Sequence, residues 1–124
     1  AEIIILDQFS RNIYRDTPAA FAQDSMALAL AQEAVTAGAL EVLETVEARK
    51  FVLMPYMHSE SKLIHQRAVT LFEQYTNAQT IEAEMKHKVI IDRFGRYPHR
   101  NIILGRQSTA EEIAFLKQPN SSFL

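Results

Sequence analysis

An all-α fold follows from three features of this sequence. Apolar residues recur with a period near 3.6. Strand-like alternation of β-branched residues is absent. Only three glycines and four prolines interrupt the pattern. Together these predict about six short helices in one antiparallel array spanning residues 1–124.

The first helix is expected from Ile3 to Phe9 or slightly beyond. Thr17 and Pro18 read as a cap and first helical residue, opening a turn over Ala19 to Ala22. Asp24 can cap a helix from Ser25 to Ala37 that stops at Gly38. Its Ala27, Ala29, Ala31 and Ala34 favour helix and allow close approach. Thr45 caps the next helix. This helix is apolar nearly all round from Phe51 to Met57, which predicts deep burial, and Pro55 should kink or end it. Ser59 is expected to cap a helix reaching Tyr75, with Ile64, Ala68, Leu71, Phe72 and Tyr75 as its inner stripe. A further helix spans Gln79 to Phe94 and ends at Gly95. There Glu82 with Lys86, and Glu84 with Lys88, read as surface pairs. A loop from Arg96 to Gln107 leads to a last helix reaching Lys117, for which Ser108 and Glu111 form a capping box.

Composition narrows the function classes. At 124 residues, with 48% apolar and 23% charged side chains, the chain matches one ordinary globular domain rather than a disordered segment. A net charge of −2 is too small to imply a polyanion-binding protein, and with acids elsewhere and only a small basic area around Tyr97, no nucleic-acid role is expected. The absence of cysteine removes thiolate chemistry and disulfides, and fits a reducing cytoplasm. No apolar run approaches a membrane span. No metal or cofactor motif occurs, and none is expected. The chain opens inside an apolar run with neither cap nor initiator Met, and is read as a fragment lacking an earlier helical part. Apolar surface left open on the first helices should then attract a covering segment, a protein partner or a second copy.

The informative residues are polar ones at apolar positions. On a helical wheel Asp92 falls within the arc of Ile81, Met85 and Val89. Glu60 lies beside Ile64 and Leu71, with Arg67 at the edge. Asp7 shares a side with Ile3 and Ile4, with Arg11 four residues on. A carboxylate on a buried face needs a partner. Four of the eight arginines, Arg93, Arg96, Arg100 and Arg106, fall within fourteen residues together with His99, with no acid between Arg93 and Arg106. Two readings follow. In one, these arginines pin helix ends by pairing with Asp7, Glu60 and Asp92. In the other, His58, Glu60, Arg96, His99 and Arg100 face a small anionic ligand. There Arg96 and Arg100 clamp the anion, and His58, His99 or Glu60 handles a proton. His65 and His87 read as surface or boundary residues, and Ser59 as a cap rather than a nucleophile.

Three strings can be set side by side: LDQFSRNIYR (Leu6 to Arg15), PYMHSE (Pro55 to Glu60) and RFGRYPHRN (Arg93 to Asn101). With LGRQSTAEEIAFL (Leu104 to Leu116) and the SSF of Ser121 to Phe123, they resemble the signature blocks of the bacterial family called domain of unknown function 924. Ser10 and Asp16 stand where Pro and Gly are usual, and Tyr56 and Tyr97 where Phe is. The resemblance implies a tetratricopeptide-like helical array with a further N-terminal helical stretch, and no settled activity. It adds Asn12, Arg93 and Asn101 to Asp7, Arg11, Asp92, Arg96 and Arg100 as candidate ligand-binding residues.

Overall fold

A computed structural model describes residues 1–122, so Phe123 of the SSF string lies outside the described residues. Every regular element among the described residues is helical. The chain opens as one rod: α1 (Glu2–Ile4), a π-helical turn (Ile5–Phe9) and α2 (Ser10–Ile13). A 3-10 turn at Pro18–Ala20 leads into α3 (Asp24–Thr36). Then come α4 (Ala39–Val42), α5 (Val46–His58), α6 (Lys62–Tyr75) and α7 (Ala78–Phe94). A second 3-10 turn (Pro98–Arg100), α8 (Asn101–Leu104) and α9 (Ala110–Leu116) complete the fold. The expected Arg96–Gln107 loop is therefore partly helical.

Side-chain caps open α5, α6, α7 and α9. Thr45 accepts the Ala48 N–H and Asn77 the Thr80 N–H, each satisfying an amide that the first helical turn leaves open. α6 is capped by Ser61, which accepts the Ile64 N–H; Ser59, the expected cap, instead holds the Ser61 N–H at 3.1 Å. The last capping box lies one residue later than expected, on Thr109 and Glu112 rather than Ser108 and Glu111. Gly38 and Gly95 end their segments at φ of +83° and +71°, a conformation that disfavours a β-carbon. Pro55 does not end α5, which runs on to His58.

α5 lies at the centre, packed against α3, α6, α7 and the N-terminal rod. The buried Ala27 and Ala31 let α3 come close. The main core joins Ala31, Leu40, Leu53, Tyr56, Met57, Ala68, Leu71 and Phe72, so the predicted stripe of α6 does face inward. A smaller cluster of Ile90, Ile91 and Tyr97 packs with Phe94 and Phe115.

The expected face of α7 is corrected. Met85 and Val89 are 42% and 60% exposed, while Thr80, Glu84, Ile90 and Ile91 are buried. Asp92 lies in solvent and pairs with Lys88 at 2.6 Å, which leaves no surface pair between Glu84 and Lys88. Glu82 and Lys86 do pair, at 3.4 Å. Glu84 turns inward to His65 because the helix rotates to bring these two polar groups together inside the protein.

Candidate functional site

The site begins at the π turn. A π turn adds one residue to a helical turn, so the Ser10 N–H reaches back to the Ile5 carbonyl. The bulge carries Asp7 inward, where it is 1% exposed. Its Oδ1 accepts from Arg11 Nη1 at 2.8 Å and from His58 Nδ1 at 2.7 Å. Burial pushes the Asp7 carboxyl upward, but the His58 hydrogen bond, aided by the Arg11 charge and the Gln8 hydrogen bond, holds it below its ordinary value. An ionised carboxylate only accepts, so His58 carries its proton on Nδ1 and leaves Nε2 as an acceptor. Burial outweighs the pull of Asp7 and lowers the His58 pKa, which keeps the ring neutral near pH 7.

Two further acid–base pairs extend this dyad. Arg11 spans Asp7 and Asp24, gripping the Asp24 carboxylate with both terminal nitrogens at 2.8 and 2.9 Å. Glu60 receives the Arg106 fork at 2.9 and 3.0 Å and the Tyr97 N–H at 2.6 Å. Burial raises the Glu60 carboxyl, and these bonds with the Arg100 charge bring it below its usual range. Between the pairs lies Arg100, only 5% exposed. Its Cζ sits 4.5 Å from the Phe21 ring centre and 4.8 Å from that of Tyr97. Its Nη2 donates to the His58 carbonyl at 2.9 Å, and its Nη1 lies 3.5 Å from Asp24 and 3.8 Å from Glu60.

A cavity of about 320 Å³ opens beside this cluster. Its polar lining is Asp24, Ser25, His58, Ser59, Glu60 and Arg100, and its apolar lining includes Phe21, Leu28, Pro55 and Leu104. A second layer supports it from inside. His65, fully buried, donates from Nε2 to the Ser59 carbonyl at 2.7 Å, and its Nδ1 meets Glu84 at 2.8 Å. Burial raises the Glu84 carboxyl above its ordinary value, against the pull of the His65 hydrogen bond. The Tyr97 hydroxyl donates to the Met57 carbonyl and lies 3.1 Å from His65. The chain around His58 is thus held by α6, α7 and the turn after Gly95.

The structure gathers Asp7, Arg11, His58, Glu60 and Arg100 from the sequence-based set. Arg96 does not join them. Its guanidinium takes both Glu112 oxygens, at 2.7 and 2.9 Å, and pins α9. Asn101 is buried in the same knot, donating to Ser108 and Glu112 and accepting from Arg106. Arg93 rests on the Phe94 and Phe115 rings, while Asn12 and Asp92 are exposed. His99, half-buried, tilts against the Tyr97 ring. Burial, helped by the Arg100 charge, lowers its pKa to about 4. His65 is no boundary residue: it is 0% exposed. Sequence reasoning missed Asp24, Phe21, His65 and Glu84. The one available signal was that Arg11 has more donors than Asp7 alone can use. Among the described residues, no group of three histidines or carboxylates is placed to hold a metal ion.

Comparison with known proteins agrees with this architecture. A family model described as bacterial protein of unknown function (DUF924) matches residues 1–120. The chain belongs to the DUF924 family. It is also similar to the solved structure of a protein of unknown function from Agrobacterium tumefaciens, with 36% identity and a TM-score of 0.86. That likeness covers 93% of this chain and 64% of the other, so this DUF924 chain spans under two-thirds of that protein's length. No curated protein matches it. It is an uncharacterised bacterial helical domain, and no helix among the described residues is long and apolar enough to cross a membrane.

Proposed function

We propose that this domain binds a small molecule in the cavity beside α5, with His58 as the proton-accepting group. One observation carries the reading: His58, oriented through Nδ1 by the buried Asp7 at 2.7 Å, lines a cavity large enough for a ligand. A carboxylate that fixes the tautomer of a neutral imidazole is how proteins prepare a general base. A purely structural network needs the ion pairs but not the cavity. In this reading the domain is a cytoplasmic ligand-binding module of stacked helices, tetratricopeptide-like in plan, and turnover of the bound molecule is open to it.

The test is a thermal-shift screen against phosphates, nucleotides, carboxylic acids and amides, with His58→Gln beside the parent. At a concentration a hundredfold above its Kd, a ligand adds about 2.7 kcal/mol of stability. The expected result is stabilisation by one class, weakened in His58→Gln, a variant that keeps a donor toward Asp7 and folds normally. If no class shifts the melting temperature and no compound moves the His58 ring resonances, the cluster is structural only.

A second reading rests on the N-terminal rod. Ile5, Phe9 and Ile13 are 53%, 51% and 70% exposed and follow one another at four-residue steps. Such a stripe suits a protein partner, a covering segment or a second copy. Light scattering is expected to show self-association that Phe9→Ser and Ile13→Ser weaken. A monomer at every concentration, unchanged by either variant, removes the second-copy form of this reading.

A further inference from the structure

We infer that the cavity takes an uncharged amphipathic ligand whose head sets a carbonyl oxygen beside an N–H donor, as a primary amide does. This inference rests on the cavity being a ligand site.

The first argument is charge. Three carboxylates, Asp7, Asp24 and Glu60, meet three guanidiniums, Arg11, Arg100 and Arg106, and His58 is neutral. Each carboxylate already has a close arginine: Arg11 on Asp7 and Asp24, Arg106 on Glu60. A ligand bearing net charge would unbalance this cluster as well as give up its own hydration, which is costly in a half-enclosed site. An uncharged head avoids that cost.

The second argument is the unused capacity of Arg100. Its Nη1 stands 3.5 and 3.8 Å from its two carboxylates, longer than a normal hydrogen bond. Its Nε is buried and finds no acceptor among the described residues. The guanidinium carbon sits over the Phe21 and Tyr97 rings, 4.5 and 4.8 Å from their centres, which restrains the group where it is. A carbonyl oxygen entering the cavity that Arg100 lines would therefore meet a cationic group with donor capacity to spare. The carboxylates flanking Nη1, Asp24 and Glu60, then stand ready to accept from an N–H on the same head. Phe21, Leu28 and Leu104 offer a wall for a short apolar body.

The experiment titrates the full chain at pH 7.5 with hexanamide, hexanoate and hexylammonium, which share one body and differ in the head. Calorimetry is expected to show hexanamide binding about tenfold or more tightly than either ion, a gap of about 1.4 kcal/mol. Ser25→Trp, at the exposed rim of the cavity, is expected to abolish that binding while leaving the melting temperature of the unliganded chain unchanged. If either ion binds as tightly as the amide and Ser25→Trp blocks it, the uncharged class is wrong and the cavity stands. Amide binding that Ser25→Trp leaves untouched overturns the placement. If none of the three binds, the inference falls, and the wider screen with the His58 resonances decides whether the site falls with it.

Discussion

Acidification from pH 6.5 to pH 4 is expected to strip the domain of on the order of 3 kcal/mol of stability, chiefly through its buried histidines. Burial lowers the pKa of both His87 and His99 from 6.5 to about 4, and the Arg100 charge adds to the effect at His99. Burial lowers His58 as well. In the unfolded chain these rings take up protons near pH 6.5; in the folded one they refuse them until much lower pH. The unfolded state therefore binds more protons through this window, and stability falls as pH falls. Each tenfold loss of proton affinity is worth ~1.4 kcal/mol, and the partial solvent contact of His87 and His99 trims the sum. Glu84 works the other way, because burial raises its pKa and the fold gains from protonating it, but it is one group against three. Below pH 4.5 a second loss begins. Glu112 is held at about 2 by its Arg96 bond, and Asp7 and Glu60 are also held below their ordinary values. Chemical denaturation followed from pH 8 to pH 3 at constant ionic strength checks this. Stability that is flat or rising between pH 6.5 and 4 would contradict the burial of neutral histidines.

The second large effect is expected at Glu60. Its carboxylate joins the chain after α5 to the turn after Gly95: it takes the Arg106 fork and the Tyr97 N–H, and faces Arg100. Glu60→Ala takes the carboxylate acceptor from the Arg106 fork and the Tyr97 N–H, and the nearby negative charge from Arg100. Removing one side of a buried pair costs about 3–5 kcal/mol. The side chain is 25% exposed, so the lower end applies, which is a fall of about 10 °C in melting temperature for a domain of this size. Glu60→Ala with Arg106→Ala is expected to cost clearly less than the two single losses added, since the pair is removed together. Strict additivity, or a Glu60→Ala chain as stable as the parent, would mean the pair holds nothing.

How far the sequence could be read depended on where each residue's partner lay. α6 was legible because its inner residues are apolar and its period is clean. α7 was not. Glu84 beside Lys88 has the spacing of a surface pair, and its actual partner, His65, lies nineteen residues away on another helix. Local spacing cannot reveal that, so the wheel chose Met85 and Val89 as the inner face. The last cap shows the same limit on a smaller scale. Ser108 with Glu111 and Thr109 with Glu112 both satisfy the capping pattern. The choice fell to Glu112 because Arg96 and Asn101 also hold it. Asp7, Glu60 and the arginine-rich turn were legible as charges needing partners. Which arginine meets which acid was not, and Arg96 and Arg100 prove to serve different ends of the molecule.

The widened turn at Ile5–Phe9 has a consequence for reading relatives of this chain. Asp7 and Arg11 are four apart, the interval of an ordinary helix, yet Asp7 reaches His58 from within a turn that holds one residue too many. A homologue with one residue deleted between Ile5 and Phe9 would rotate everything upstream by ~100°. It would keep the aspartate, the arginine and the histidine in any tally of matched letters. The carboxylate would nonetheless point elsewhere, so in this family shared letters imply a shared site only when the spacing through this turn is also unbroken.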